Sequence, residues 1–280
     1  MVDIQFFYPR WGAEHVAWTD FLDRVQSDGY IGVEWYPFGE KNRNYEEMLQ
    51  GLIDRSMVYC IVFAVWGKIN DFSHYLILLE EQLRELASLG KCNLAPKFIS
   101  AQIGREYYTQ EQILACLNIC KKVENQTGIP IFQETHRNKW TYGIHRIPTI
   151  LSHFPSLKFT LDISHWYCVS ESYLEDQQNL LISLLDNVEH IHARIGHTQG
   201  SQISDVSNAM YDDILKIHLG VWQKYLSNKI HSGKKRISIT TEFGPPPYLI
   251  SSGDPQQDYE EQWHQNLWMK DYLQKNLKMI

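Results

Sequence analysis

Short apolar runs alternate with longer amphipathic stretches along the whole chain. The runs over 4–8, 30–35, 58–66, 96–102, 129–134, 158–163, 188–195 and 236–243 read as strands. The stretch 58–66 is the most apolar and β-branched, as expected of a parallel strand buried on both faces. Between the strands the period changes. Trp18, Phe21, Leu22 and Val25 fall on one side of a first helix, and Met48, Leu49, Leu52 and Ile53 mark a second beyond the polar stretch 39–44. Leu76, Leu79, Leu83 and Leu86 recur at threes and fours over 72–89, with Glu80, Glu81, Arg84 and Glu85 on the other faces. Gly29, Gly90 and Gly128 stand where helices should stop, and Thr109 followed by Gln112 is a capping-box spacing for a helix to about residue 125. Further helices are predicted over 144–154, interrupted by Pro148, and over 177–185, 209–227 and 258–277. Eight strand-then-helix units without a linker predict a single-domain α/β protein over 1–280, a (β/α)₈ TIM barrel. An open doubly wound sheet is the alternative.

The strand endings bring in chemistry. Strands five to eight run into Glu134, Asp162, His192 and Glu242, and a barrel keeps its functional side chains at the carboxyl ends of its strands. One such ending is unremarkable, since an acid there caps the next helix or pairs with an arginine. Four in succession predict a metal site. Three carboxylates and one imidazole, with no thiolate, suit one divalent ion such as Mn²⁺, Mg²⁺ or Co²⁺, with Zn²⁺ also compatible.

Composition narrows the partners. The net charge of −7 over 280 residues opposes a polyanion such as nucleic acid. Five cysteines, an odd number, with Cys116 and Cys120 at helical spacing, read as buried thiols of a reducing compartment. The first residues lack the order of a signal peptide, and no apolar run approaches the roughly 20 residues needed to span a bilayer. The expected setting is cytoplasmic, away from membranes, and homo-oligomerisation stays open.

Four segments resemble the sugar isomerase/epimerase group of xylose-isomerase-like TIM barrels, which includes ketose 3-epimerases, inosose dehydratases and apurinic endonucleases. They are Gln133-Glu134-Thr135-His136-Arg137, Leu161-Asp162-Ile163-Ser164-His165-Trp166, His190-Ile191-His192-Ala193-Arg194 and Thr241-Glu242-Phe243-Gly244-Pro245. The resemblance covers nearly the whole chain. It implies metal ligation by Glu134, Asp162, His192 and Glu242, with His192 preferred to His190, which would lie deeper in the barrel. It also implies that His165 contacts the substrate.

The implied chemistry is isomerisation or epimerisation of a small carbohydrate through an enediolate, with Glu134 and Glu242 moving the carbon-bound proton and His165 donating to the carbonyl. Trp11, Trp35, Trp66 and Trp166 follow strands and could stack on a sugar or simply pack. Arg137 and Arg194 could face an anionic group or form ordinary ion pairs, and Gly196 and Gly200 could open backbone amides to an anion. The epimerases carry an arginine six residues past the strand-seven ligand; Thr198 stands there in this chain. A lyase on a polyol or keto-sugar shares the first chemical step. An endonuclease would want histidines at the ends of early strands, where this chain has Glu34-Trp35 and Val65-Trp66, and a sugar-binding barrel without turnover would have little use for two positioned carboxylates.

Overall fold

The computed structural model describes residues 2–39, 45–90 and 93–279. Eight parallel strands close into a barrel in sequence order: β1 Asp3–Pro9, β2 Gly32–Trp35, β3 Val58–Phe63, β4 Ile99–Ala101, β5 Ile131–Glu134, β6 Phe159–Leu161, β7 Val188–His192 and β8 Arg236–Thr240. Closure comes from β8 pairing with β1, Asp3 against Arg236 through Phe7 against Thr240. The fold is therefore the (β/α)₈ barrel and not the open sheet. β3, β4, β6, β7 and β8 stop short of the ends of the apolar runs that announce them, and β5 ends on Glu134.

Around the barrel lie α1 Trp18–Ser27, α2 Tyr45–Asp54, α3 Phe72–Ser88, α4 Gln110–Thr127, α5 Ile147–His153, α6 Ile163–Ser170, α7 Gln178–Leu184, α8 Asp212–His231 and α9 Pro255–Asn276. The capping box at Thr109 and Gln112 is formed in full, and Gly128 closes α4 in the left-handed conformation. Two expectations change. Pro148 lies in the first turn of α5, where its missing N–H costs no hydrogen bond, so it starts that helix instead of interrupting it. Residues 163–170, which the apolar pattern leaves without a helix, form α6 directly after β6, with Asp162 as the N-cap. The segment 40–44 of the polar stretch and Cys92 lie outside the described residues.

Strand residues alternate between two cores. Outward side chains such as Val33, Trp35, Ile61, Ile99, Ile191 and Ile239 join the large cluster between barrel and helices. Inward ones include a small apolar group of Phe7, Cys60, Phe98 and Phe132. Above it the inward positions turn polar: Ser100, Thr160, His190, Ser238 and Thr240 are linked by hydrogen bonds, with Ser100 Oγ 2.9 Å from Thr160 Oγ1 and His190 2.7 Å from Ser238 Oγ and 2.9 Å from Thr240 Oγ1. His190 is thus a satisfied interior histidine below His192. A register shift against β6, where Phe159 aligns with Val188 and Thr160 with His190, adds one residue to β7.

The helix that closes the chain braces the loop after β8. Asn266 accepts a hydrogen bond from Phe243 N at 2.9 Å and donates to Phe243 O at 3.0 Å, while Gln262 Nε2 donates to both Phe243 O and Trp11 O. Gly12 permits this, because it has φ +90° and any Cβ there would lie 2.2 Å from Gln262 Oε1.

Trp35 is wholly buried in the outer core, edge-on to Trp18 and Tyr45. Trp35→Ala should therefore lower folding stability by about 3–5 kcal/mol, read from the urea midpoint. A variant as stable as the parent would contradict this packing role.

Candidate active site

The inward alternation carries straight to the strand ends. Glu34 on β2, Glu134 on β5, Asp162 after β6, His192 and Arg194 on and after β7, and Glu242 after β8 converge at the mouth of the barrel, and each is at most 6% exposed. Of the four residues predicted to bind metal, three meet closely: Glu134, His192 and Glu242 offer ligand atoms within 4.8 Å of one another. His192 Nδ1 lies 2.8 Å from Glu242 Oε2 and 3.8 Å from Glu134 Oε1. The other ring nitrogen, Nε2, is 2.8 Å from Glu34 Oε2.

Asp162 is placed differently. Its Oδ1 accepts from Ser164 N at 3.0 Å at the start of α6, and its Oδ2 accepts from Arg194, from Nε at 3.0 Å and more tightly from Nη2. The same guanidinium reaches His165 Nε2 at 2.8 Å and approaches Glu242 Oε2 at 3.6 Å. Arg194 therefore forms the ion pair that was one of its two expected roles. Its donation into His165 Nε2 places that ring's proton on Nδ1, a buried atom with no hydrogen-bond partner among the described residues. His165 itself is fully buried, its ring centroid 4.0 Å from that of His136.

Electrostatics explain why this cluster calls for positive charge. Burial pushes the Glu134 carboxyl up to about 8, against the help of His192, with Glu242, Glu34 and Asp162 adding repulsion. Burial also raises Asp162, although Arg194 opposes the shift. Burial works against a charged His192, yet Glu242, Glu34 and Glu134 outweigh it and hold the imidazole pKa well above its ordinary value. Glu242 and Glu34 are held low, against the effect of burial, chiefly by Arg194 in the first case and His192 in the second.

The residues present fit a divalent cation. His192 Nδ1 and Glu242 Oε2 are buried, adjacent and poorly aligned for a hydrogen bond to each other or to any described partner. Glu134 is already oriented from behind by Ser100 Oγ at 3.1 Å and Gln102 Nε2 at 2.8 Å. An imidazole nitrogen between two carboxylates, with Glu34 on the ring's other nitrogen and Ser100 and Gln102 on Glu134, is a donor set for Mn²⁺, Mg²⁺, Co²⁺ or Zn²⁺.

A cavity of about 190 Å³ opens onto this cluster, lined in part by Trp11, Glu34, His136, Arg194, Glu242 and Tyr248. Of the four tryptophans considered as sugar platforms, Trp11 lines the cavity, edge-on to Tyr248. Trp66 lies stacked near Phe38 at the rim, half exposed. Trp35 and Trp166 are core residues instead, since outward-facing positions at a strand end or helix start point away from the mouth; Trp166 Nε1 donates to Thr141 O at 2.7 Å. Arg137 bonds to the hydroxyls of Ser201 and Tyr248. The amides of Gly196 and Gly200 are spent on His218 Nε2 and His197 O, which removes them as anion donors.

Two residues of the site lay outside the sequence expectations. In the sequence Glu34 stands out only as an acid where an endonuclease would have a histidine, and His136 only as part of a motif. The signal for Glu34 was a lone acid between Val33 and Trp35, on the inward face of its strand.

No family model matches the chain, and no curated protein matches it in sequence. Solved structures share its fold. The D-allulose 3-epimerase from Methylomonas sp., solved with D-allulose, is 12% identical with a TM-score of 0.62, over 99% of this chain and 98% of the other. A xylose isomerase-like TIM barrel protein from Mycobacterium smegmatis, in complex with magnesium, is 9% identical with a TM-score of 0.55, over 96% and 97%. The probable 3-DHS dehydratase of petrobactin synthesis from Bacillus anthracis is 16% identical with a TM-score of 0.56, over 94% and 98%. The likeness is one of fold: these proteins and this chain share the (β/α)₈ barrel. Among the described residues, no helix is long and apolar enough to cross a membrane.

Removing one partner of the buried Arg194–Asp162 pair leaves the other charge without compensation. Arg194→Met should cost about 3–5 kcal/mol in the urea-unfolding free energy. A neutral outcome would show that the pair does not form.

Proposed function

We propose that this protein is a divalent-metal-dependent isomerase or epimerase of a sugar or sugar derivative, working by proton transfer beside a carbonyl. The observation that carries the reading is the convergence of buried ligand atoms of His192, Glu242 and Glu134, of which His192 Nδ1 and Glu242 Oε2 make no well-aligned hydrogen bond among the described residues, beside a cavity sized for one small molecule. Glu134, His192 and Glu242 would hold the ion, with Asp162 as the fourth ligand. When bound, the ion supplies Lewis acidity toward the oxygens of a hydroxy-carbonyl substrate.

The chain's own groups do the rest. Glu242, on the cavity wall, and Glu134 are the two carboxylates that remove and return the carbon-bound proton. His165, buried behind His136 with its tautomer set by Arg194, would be the donor for the carbonyl oxygen through Nδ1–H. Trp11 gives the cavity a flat apolar wall for the C–H face of a sugar. The buried thiols of Cys60, Cys116 and Cys120 support a reducing, cytoplasmic setting. A dehydration would start with the same proton removal, and the fold shared with a probable dehydratase keeps that second reading in play; identification of the product separates the two.

Purified protein should carry one divalent ion per chain by elemental analysis, lost in His192→Ala and in Asp162→Ala while far-ultraviolet circular dichroism stays unchanged. Full occupancy in both variants would remove these residues from the ligand set. Asp162 is the sharper case, because its carboxylate is also committed to Arg194 and α6.

With a panel of ketoses, aldoses and cyclitols in deuterated water, the true substrate should gain deuterium at the carbon beside its carbonyl. Glu134→Gln and Glu242→Gln should each lower turnover by about 10²-fold or more, with a smaller loss of metal. His165→Ala should lower turnover and keep the ion. An unlabelled product would point instead to an intramolecular hydride shift, leaving both glutamates as ligands alone.

A further inference from the structure

We infer that Glu34 is a positioning residue for the site: it sets which nitrogen of His192 faces the cation, and so governs metal affinity without being a ligand itself. The inference rests on the metal-site reading above and adds a residue to it.

The geometry is built from one oxygen. Glu34 Oε2 is 2.8 Å from His192 Nε2, receives the Thr240 hydroxyl at 3.1 Å and lies 3.8 Å from Cys60 Sγ. His190 Nε2 is 3.6 Å from the same oxygen and 2.9 Å from Thr240 Oγ1. With Thr240 donating its proton to Glu34, its oxygen is left to accept from His190 Nε2–H, and Ser238 then donates to His190 Nδ1 at 2.7 Å. The directions of the whole chain are fixed by the carboxylate at its end. A carboxylate only accepts, so Nε2 carries the proton given to Glu34, and a cation that takes the place of the proton between Nδ1 and Glu242 meets Nδ1 as the ligand atom, on the side facing Glu134 and Glu242.

Burial makes the constraint stiff. Glu34 is 3% exposed, while His190, His192 and Thr240 are at 0%. Water cannot easily replace Glu34 as the acceptor, and the ring cannot flip without stranding a buried N–H. Ligating histidines elsewhere gain orientation and basicity from a carboxylate on their second nitrogen, and loss of that partner typically weakens metal binding about 10- to 100-fold.

The test is Glu34→Gln, which keeps the length of the side chain and removes its charge. Calorimetric titration with Mn²⁺ should give an affinity about 10- to 100-fold weaker than the parent's, with circular dichroism and cooperative unfolding retained. Equal affinity in a folded variant would overturn the inference while leaving the metal site intact. A parent that binds none of Mn²⁺, Mg²⁺, Co²⁺ or Zn²⁺ would overturn the site reading itself. Should the variant fail to fold, nitrogen-15 spectra of the parent loaded with diamagnetic Zn²⁺ decide the matter. His192 protonated on Nε2 and ligated through Nδ1 supports the inference; the reverse assignment overturns it.

Discussion

Four carboxylates buried at one end of a barrel cannot all be ionised without positive charge among them, and the arrangement of this protein's mouth follows from that constraint. Arg194 answers part of it by binding Asp162 and leaning toward Glu242. His192 answers another part from the opposite side, between Glu34 and Glu242. The remainder falls on Glu134, which burial and its neighbours drive toward the protonated form. A cation beside Glu134 and Glu242 would offset the repulsion among the carboxylates in place of the His192 charge.

Beneath the charges, the barrel interior is graded. Apolar side chains of Phe7, Cys60, Phe98 and Phe132 fill the lower part, hydroxyls and His190 form the layer above, and the carboxylates stand at the rim. Each layer satisfies the one over it: Ser100 donates to Glu134, and Thr240 donates to Glu34. The gradient allows charged groups to be buried at the mouth without opening the core to water.

Much of this was legible in the residues. Eight apolar runs, each followed by a helical period, were enough for the barrel, and the acids and histidine ending strands five to eight pointed to the mouth. What escaped has physical causes. Residues 163–170 are apolar and follow a strand without a turn signal, so only the capping geometry of Asp162 reveals α6. Glu34 was hidden because an acid between two apolar neighbours normally marks a solvent face, whereas in a closed barrel the other face is the interior. Trp35 and Trp166 show the converse: proximity to the mouth in sequence says nothing of which side of the wall a ring occupies. Arg194 and Asp162 could be read as neighbours in function but not as partners, since their pairing depends on the meeting of two loops from different strands.

The bracing of Phe243 by Gln262 and Asn266 has a consequence for the order of events in the cell. Glu242 sits beside a backbone position whose amide and carbonyl are both held by a residue 23 positions later in the chain. During synthesis the other site residues leave the ribosome before α9 exists, and until then the Phe243 amide and carbonyl lack the partner that holds them. The backbone beside Glu242 is therefore held in place only when α9 docks, so the mouth of the barrel takes its final form from the last helix.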